Sequence, residues 1–129
     1  MKYGFILPVL FSVILAGCPD SPAPKGTENG ASTVEAPAEF AEGERFFNSH
    51  CAGCHGSGAK GTDRGPTFIS KIYEPSHHGD SSFHLAVRNG VRAHHWRFGN
   101  MPKIRGINPE EVDQVISYIR WIQRENGIS

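Results

Sequence analysis

Cys51-Ala52-Gly53-Cys54-His55 carries the densest chemistry in the chain. Two thiols one helical turn apart can add to the two vinyl groups of a haem. The imidazole that follows then lies under the iron with a ring nitrogen to offer. A Cys-x-x-Cys-His run is the signature of covalent haem attachment. The same residues have other readings. A thiol–disulfide exchange pair wants a βαβ setting, and none is visible around the motif. A structural zinc site wants a second ligand pair at suitable spacing, and residues 38–129 contain no further cysteine. A simple disulfide between Cys51 and Cys54 leaves His55 without a role. One haem c, attached through Cys51 and Cys54 and ligated by His55, is the expected cofactor.

The second axial position points to His94-His95-Trp96-Arg97-Phe98-Gly99-Asn100-Met101-Pro102. Met101 is the only methionine besides Met1. Its thioether is a soft ligand suited to haem iron, and His/Met ligation gives a higher reduction potential than a bis-histidine centre. The spacing of 46 residues from His55 to Met101 leaves room to wrap a haem. His94 and His95 are rival ligands. Neighbouring residues point ~100° apart on a helix and to opposite faces on a strand, so the pair does not readily serve one iron. With His50, His77, His78 and His84 the domain is unusually rich in histidine. Count and pairing suggest a second metal site, copper or zinc, drawn from His77, His78, His94 and His95. The plainer reading makes these residues surface, propionate-contacting or partner-docking groups. Trp96, Arg97 and Arg92 are candidate donors to haem propionates.

These groups need elements to hold them. Ala38 to Ser49 suits a helix with Phe40, Gly43, Phe46 and Phe47 near one side. Residues 56–79 are rich in Gly, Pro and polar groups and read mostly as loop. Asp80-Ser81-Ser82 offers N-cap chemistry for a short helix through Phe83, Ala86 and Val87, stopped by Gly90. The last helix is the clearest. Asn108 is its cap, Pro109 its first residue, and Glu111 completes a capping box, with Ile107 and Val112 placed for a hydrophobic staple. Val112, Val115, Ile116, Ile119 and Ile122 follow the helical period, flanked by Tyr118 and Trp121, and Asn126-Gly127 ends the run. No segment alternates like a strand, so the domain is expected to be all-α with long loops.

Taken together, residues 38–129 resemble the class I c-type cytochromes. Gly43, Phe47 and Cys51 repeat that family's G-x3-F-x3-C pattern, and Tyr118, with Val115 one turn before it, matches the aromatic of the last helix. Gly65-Pro66 and Met101-Pro102 match its two ligand loops. The resemblance implies a small fold in which the N- and C-terminal helices cross closely at Gly43 beside the haem. It implies that the Pro66 carbonyl accepts a bond from His55, fixing the imidazole, and that Met101 is the sixth ligand. It also implies an electron carrier rather than an enzyme, cycling Fe(III)/Fe(II), on its own or as a subunit of an oxidoreductase complex. A haem enzyme or gas sensor with a labile sixth ligand, and a cytochrome with an added histidine metal site, are the alternatives.

The N-terminus speaks of location. Lys2 and the apolar run Phe5 to Ala16 read as an export signal, too short for a comfortable span. Leu15-Ala16-Gly17-Cys18 resembles the lipobox of bacterial lipoproteins, which implies a signal peptide over 1–17 and lipid on Cys18; a plain signal peptide or an uncleaved anchor is the other reading. Assigning Cys18 to lipid leaves Cys51 and Cys54 as a pair. Residues 19–37 hold few large apolar groups and read as a disordered tether, with a reach of about 24 Å. Residues 18–37 thus form the lipidated tether and 38–129 the monohaem domain. The expected location is the periplasmic or extracytoplasmic side of a bacterial membrane. Asp20 follows Pro19 rather than Cys18, so a retention signal that needs Asp directly after the lipidated cysteine is not met.

The chain has 129 residues and no net charge, with 13 Lys+Arg against 13 Asp+Glu, which disfavours a nucleic-acid partner. No small-molecule substrate is expected. Within 60–105, however, eight basic residues (Lys60, Arg64, Lys71, Arg88, Arg92, Arg97, Lys103 and Arg105) face three acidic ones. A basic rim of this kind would steer redox partners with acidic docking surfaces.

Overall fold

The structure is a computed structural model that describes residues 36–129 together with Met1. The expected signal peptide, Cys18 and nearly all of the tether lie outside the described residues. Among those described, no helix is long and apolar enough to cross a membrane.

The expected N-terminal helix forms with a tighter first turn. Ala38–Phe40 is a 3₁₀ turn, and α1 follows over Ala41–His50. The chain then bends at Cys51 without leaving the helical direction. The Cys51 N–H donates to the Phe47 carbonyl at 2.8 Å and the His55 N–H to the Cys51 carbonyl at 2.9 Å. Helix α2, Ala52–His55, is therefore a short extension of α1 that carries the attachment motif. Irregular chain with 3₁₀ turns at Ser57–Ala59 and Lys71–Tyr73 leads to α3, Asp80–Asn89.

The start of α3 differs from expectation. Its N-cap is Gly79, and no side chain caps it; the Ser82 hydroxyl instead donates back to the Gly79 carbonyl at 2.7 Å. A hydroxyl inside the first turn finds that acceptor locally and is not needed as a cap. Gly90 ends α3 as expected. After an extended stretch whose one bridge joins Val91 to Met101, α4 runs over Pro109–Glu125. Its capping box is complete: the Glu111 N–H donates to Asn108 Oδ1 at 2.9 Å, and the Asn108 N–H donates to Glu111 Oε2 at 2.9 Å.

The core lies between α1 and α4, and the expected stripe of α4 is buried in it. Ala36, ahead of the expected domain start, is buried there too. The two helices touch backbone to backbone at Gly43. A Cβ on that residue would stand 2.1 Å from the Gln114 carbonyl oxygen and 2.9 Å from Tyr118 Cβ. Four residues on, the fully buried Phe47 packs its ring 5.5 Å from that of Tyr118. Phe40 stacks on Trp121 at 5.7 Å. The Tyr118 hydroxyl donates to Glu44 at 3.2 Å, so the aromatic spans the crossing with a satisfied polar end.

Two polar residues of α4 hold the irregular middle of the chain. Gln123, 1% exposed, donates to the carbonyls of Phe68 and Tyr73 and accepts from Arg120. The Arg120 guanidinium also donates to the Tyr73 carbonyl at 2.7 Å, the His78 carbonyl at 2.6 Å and the Asp80 carboxylate at 2.9 Å. Loop, α3 and α4 are thereby bound through one cation.

Gly43→Ala tests the crossing. Alanine favours a helix over glycine by about 1 kcal/mol, yet here it must push two backbones apart. A net destabilisation of about 2–3 kcal/mol is expected from overpacking, read as a lower guanidinium midpoint of the haem-loaded protein with an unchanged slope.

Candidate haem site

α1, α2, α3 and α4 enclose a cavity of about 430 Å³. Its walls are mostly apolar, with Phe68, Phe83 and Val87 on one part and Val115, Ile116 and Ile119 of α4 on another. Cys51, Cys54, His55, Pro66 and Met101 all line it. The residues singled out by motif and loop therefore meet at one place, from positions up to 50 residues apart in sequence.

His55 is buried and oriented. Its Nδ1 lies 2.9 Å from the Pro66 carbonyl oxygen. A carbonyl only accepts, so Nδ1 carries the hydrogen and Nε2 keeps its lone pair. The ring stacks on Phe68 at 4.4 Å. Burial holds the imidazole below its ordinary pKa, while the Pro66 bond acts in the opposite direction. A neutral ring with one nitrogen committed and the other basic is the form a metal requires.

The loop that supplies Pro66 is strapped onto the attachment motif. The Gly61 N–H donates to the His55 carbonyl at 2.6 Å, Thr62 Oγ1 to the Cys54 carbonyl at 2.5 Å, and the Arg64 guanidinium to the Gly53 carbonyl. Gly65 is buried where a Cβ would meet the Cys54 carbonyl oxygen at 2.9 Å. These contacts explain why glycine precedes the proline: the loop must lie against Cys54 for the Pro66 carbonyl to reach His55.

The two thiols differ. Cys51 is half-buried, and burial, then the neighbouring Cys54, pushes it up to about 11; Cys54 is exposed. A thiol–disulfide exchange motif needs a lowered thiol pKa, so the shift at Cys51 runs against that reading. Met101 is half-buried and pinned by its backbone, which exchanges two 2.9 Å hydrogen bonds with Val91.

The other expected contributors separate. Trp96 lines the cavity, but its indole N–H is committed to the Tyr73 hydroxyl at 3.1 Å. Arg92 and Arg97 are exposed. His84 pairs with Asp113 at 2.8 Å, linking α3 to α4. His50 borders the cavity, whereas His77, His78, His94 and His95 gather into one group. Sequence reasoning misses Arg120 and Gln123 as loop anchors. Gln123 does leave a signal, since it falls four residues after Ile119 on the apolar side of α4.

Residues 40–123 match the Cytochrome c family. The chain belongs to the cytochrome c family. No curated protein and no solved structure matches it. The cofactor of this cytochrome is haem c, bound covalently through cysteine, and Cys51 and Cys54 lie close together where α1 gives way to α2. The cavity fits that group chemically: it offers apolar walls, two thiols on one turn, a neutral oriented imidazole and a thioether. The all-α expectation also holds, with no strand among the described residues.

Proposed function

We propose that this haem-binding electron-transfer protein is a single-haem carrier tethered to a bacterial membrane on its extracytoplasmic side. Cys51 and Cys54 would hold the cofactor, His55 and Met101 would ligate its iron, and Cys18 would carry the lipid. The haem, when bound, supplies a one-electron Fe(III)/Fe(II) couple. The chain's part is to hold the two ligands still and keep water off them. Pro66 fixes the His55 ring, the Val91 bridge fixes the Met101 backbone, and the aliphatic face of α4 dries the cavity. The observation that carries this reading is the meeting of both thiols, the oriented imidazole and the lone methionine at one apolar cavity. With His55 and Met101 both committed to the iron, no substrate would bind there, and the chain's role would be electron transfer rather than catalysis.

The surface supports a protein partner. All eight basic residues from Lys60 to Arg105 are exposed. Leu85 and Phe98, 48% and 41% exposed, both border the cavity. An apolar edge set in a basic field suits a redox protein with an acidic docking surface. Cytochrome c domains of bacteria are typically exported, in keeping with the N-terminal segment read as a signal.

Ligation is tested by spectrum. The ferric protein is expected to show the far-red charge-transfer band of methionine-to-iron ligation. Met101→Ala should abolish the band and open the ferrous iron to carbon monoxide, whereas His94→Ala and His95→Ala should leave both properties as they were. Loss of the native ligand in a histidine variant instead would show that the wild-type centre is bis-histidine.

Steering is tested by salt. The second-order rate of electron transfer with an acidic redox protein should fall about tenfold between ~0.01 and ~0.2 M ionic strength; a flat profile would remove the docking proposal.

The anchor is tested by labelling. Wild-type protein should take up fatty acid and sediment with membranes, and Cys18→Ser should do neither while keeping its haem.

A further inference from the structure

Four histidines outside the proposed ligand pair are brought together from two separate loops. His77, His78 and His95 each offer a ring nitrogen, and these nitrogens lie within 4.8 Å of one another. The ring centroids are 4.7 Å apart for His77 and His78, 5.2 Å for His77 and His95, and 5.3 Å for His78 and His95. His94 stands beside them, 4.2 Å from His95 by ring centroid.

The two loops are held in place independently of the rings. On one side, the N–H groups of His77 and His78 both donate to the Glu74 carbonyl, at 3.0 and 2.8 Å, and Arg120 grips the His78 carbonyl. On the other, the Ala93 N–H donates to Asn100 Oδ1 at 2.9 Å, just inside the Val91–Met101 bridge. The Trp96 to Tyr73 bond joins one loop to the other at 3.1 Å. The backbone thus fixes where these side chains start.

Two of the rings are also oriented. His78 Nδ1 lies 2.5 Å from the Ile72 carbonyl and His94 Nδ1 lies 2.8 Å from the Arg92 carbonyl. Carbonyls accept, so each Nδ1 carries the hydrogen and each Nε2 is left with a lone pair. Backbone carbonyls play this part for metal-ligating histidines generally.

We propose that His77, His78 and His95 form a binding site for a divalent copper or zinc ion, with His94 or water as the fourth ligand. Neutral imidazoles without carboxylate or thiolate suit these borderline ions and offer little to magnesium or calcium. Around a tetrahedral ion with Zn–N of ~2.05 Å, the nitrogens stand about 3.3 Å apart. The rings must therefore close by about an ångström or more. His77 and His95 are exposed and free to make that movement by rotation. His78, His94 and His95 also border the haem cavity, so the ion would sit at its rim.

The experiment uses the full, untagged, haem-loaded protein after chelator treatment and desalting. Zinc chloride is titrated against a coloured competing chelator. Copper(II) is added in a parallel sample and read by electron paramagnetic resonance. One equivalent per haem is expected, at a dissociation constant below ~10 μM, with nitrogen coupling on the copper signal. His77→Ala and His95→Ala should each weaken binding at least tenfold while leaving the haem spectrum unchanged. His50→Ala and His84→Ala should change it less than twofold. Absence of binding in this range, or binding that survives His77→Ala and His95→Ala together, overturns the proposal. The haem spectrum of every variant reports separately on the electron-carrier reading, so the two can fail independently.

Discussion

Helices α1 and α4 meet where Gly43 has no side chain, and the Gln114 carbonyl occupies the place a Cβ would take. That approach sets the distance between the first and last helices, and nearly everything else is built on it. Phe47 and Tyr118 pack at the crossing because the backbones are already close. α1 then delivers the attachment motif on its own continuation, and α4 presents its aliphatic face to the same cavity. A contact between two backbones thus decides where two thiols and an imidazole stand relative to an apolar wall.

The long middle segment cannot supply a core of its own and is positioned from outside. It is tied at two ends. Near the motif, Gly65 lies against Cys54 so that Pro66 reaches His55. Near α4, Gln123 and Arg120 bond the carbonyls of Phe68, Tyr73 and His78. Buried polar side chains are stabilising only when satisfied, and Gln123 uses both its amide nitrogen and its oxygen. The outcome is irregular backbone with definite positions, which is what ligand loops require.

Local chemistry is legible in the order of the residues. The Asn108 to Glu111 box involves four consecutive residues, so its geometry follows from that order. The attachment motif is likewise a single helical turn. The roles of Gly43, Phe47, Tyr118 and Pro66 are legible only through family resemblance, because each acts on a residue distant in sequence, whereas Met101 also stands out as a lone soft ligand in a polar loop. The start of α3 is ambiguous, since several residue types there can cap and the backbone uses Gly79. Arg120 escapes for another reason: its partners include carbonyls of residues 42 and 47 positions away, and carbonyls carry no residue identity. The histidines fall between these cases. Their pairing is visible in the chain, but only the meeting of two loops makes neighbours of His77, His78 and His95.

The placing of α1 and α4 at opposite ends of the domain also bears on how the protein is made. A chain grows from its N-terminus, so Cys51 to His55 exist as an open segment before Pro109–Glu125 has been synthesised. Until that last helix arrives, Gly43 has nothing to cross and the cavity lacks its aliphatic wall. The cavity therefore closes only when α4 packs against α1, and the same step that completes the core also walls in the attachment motif.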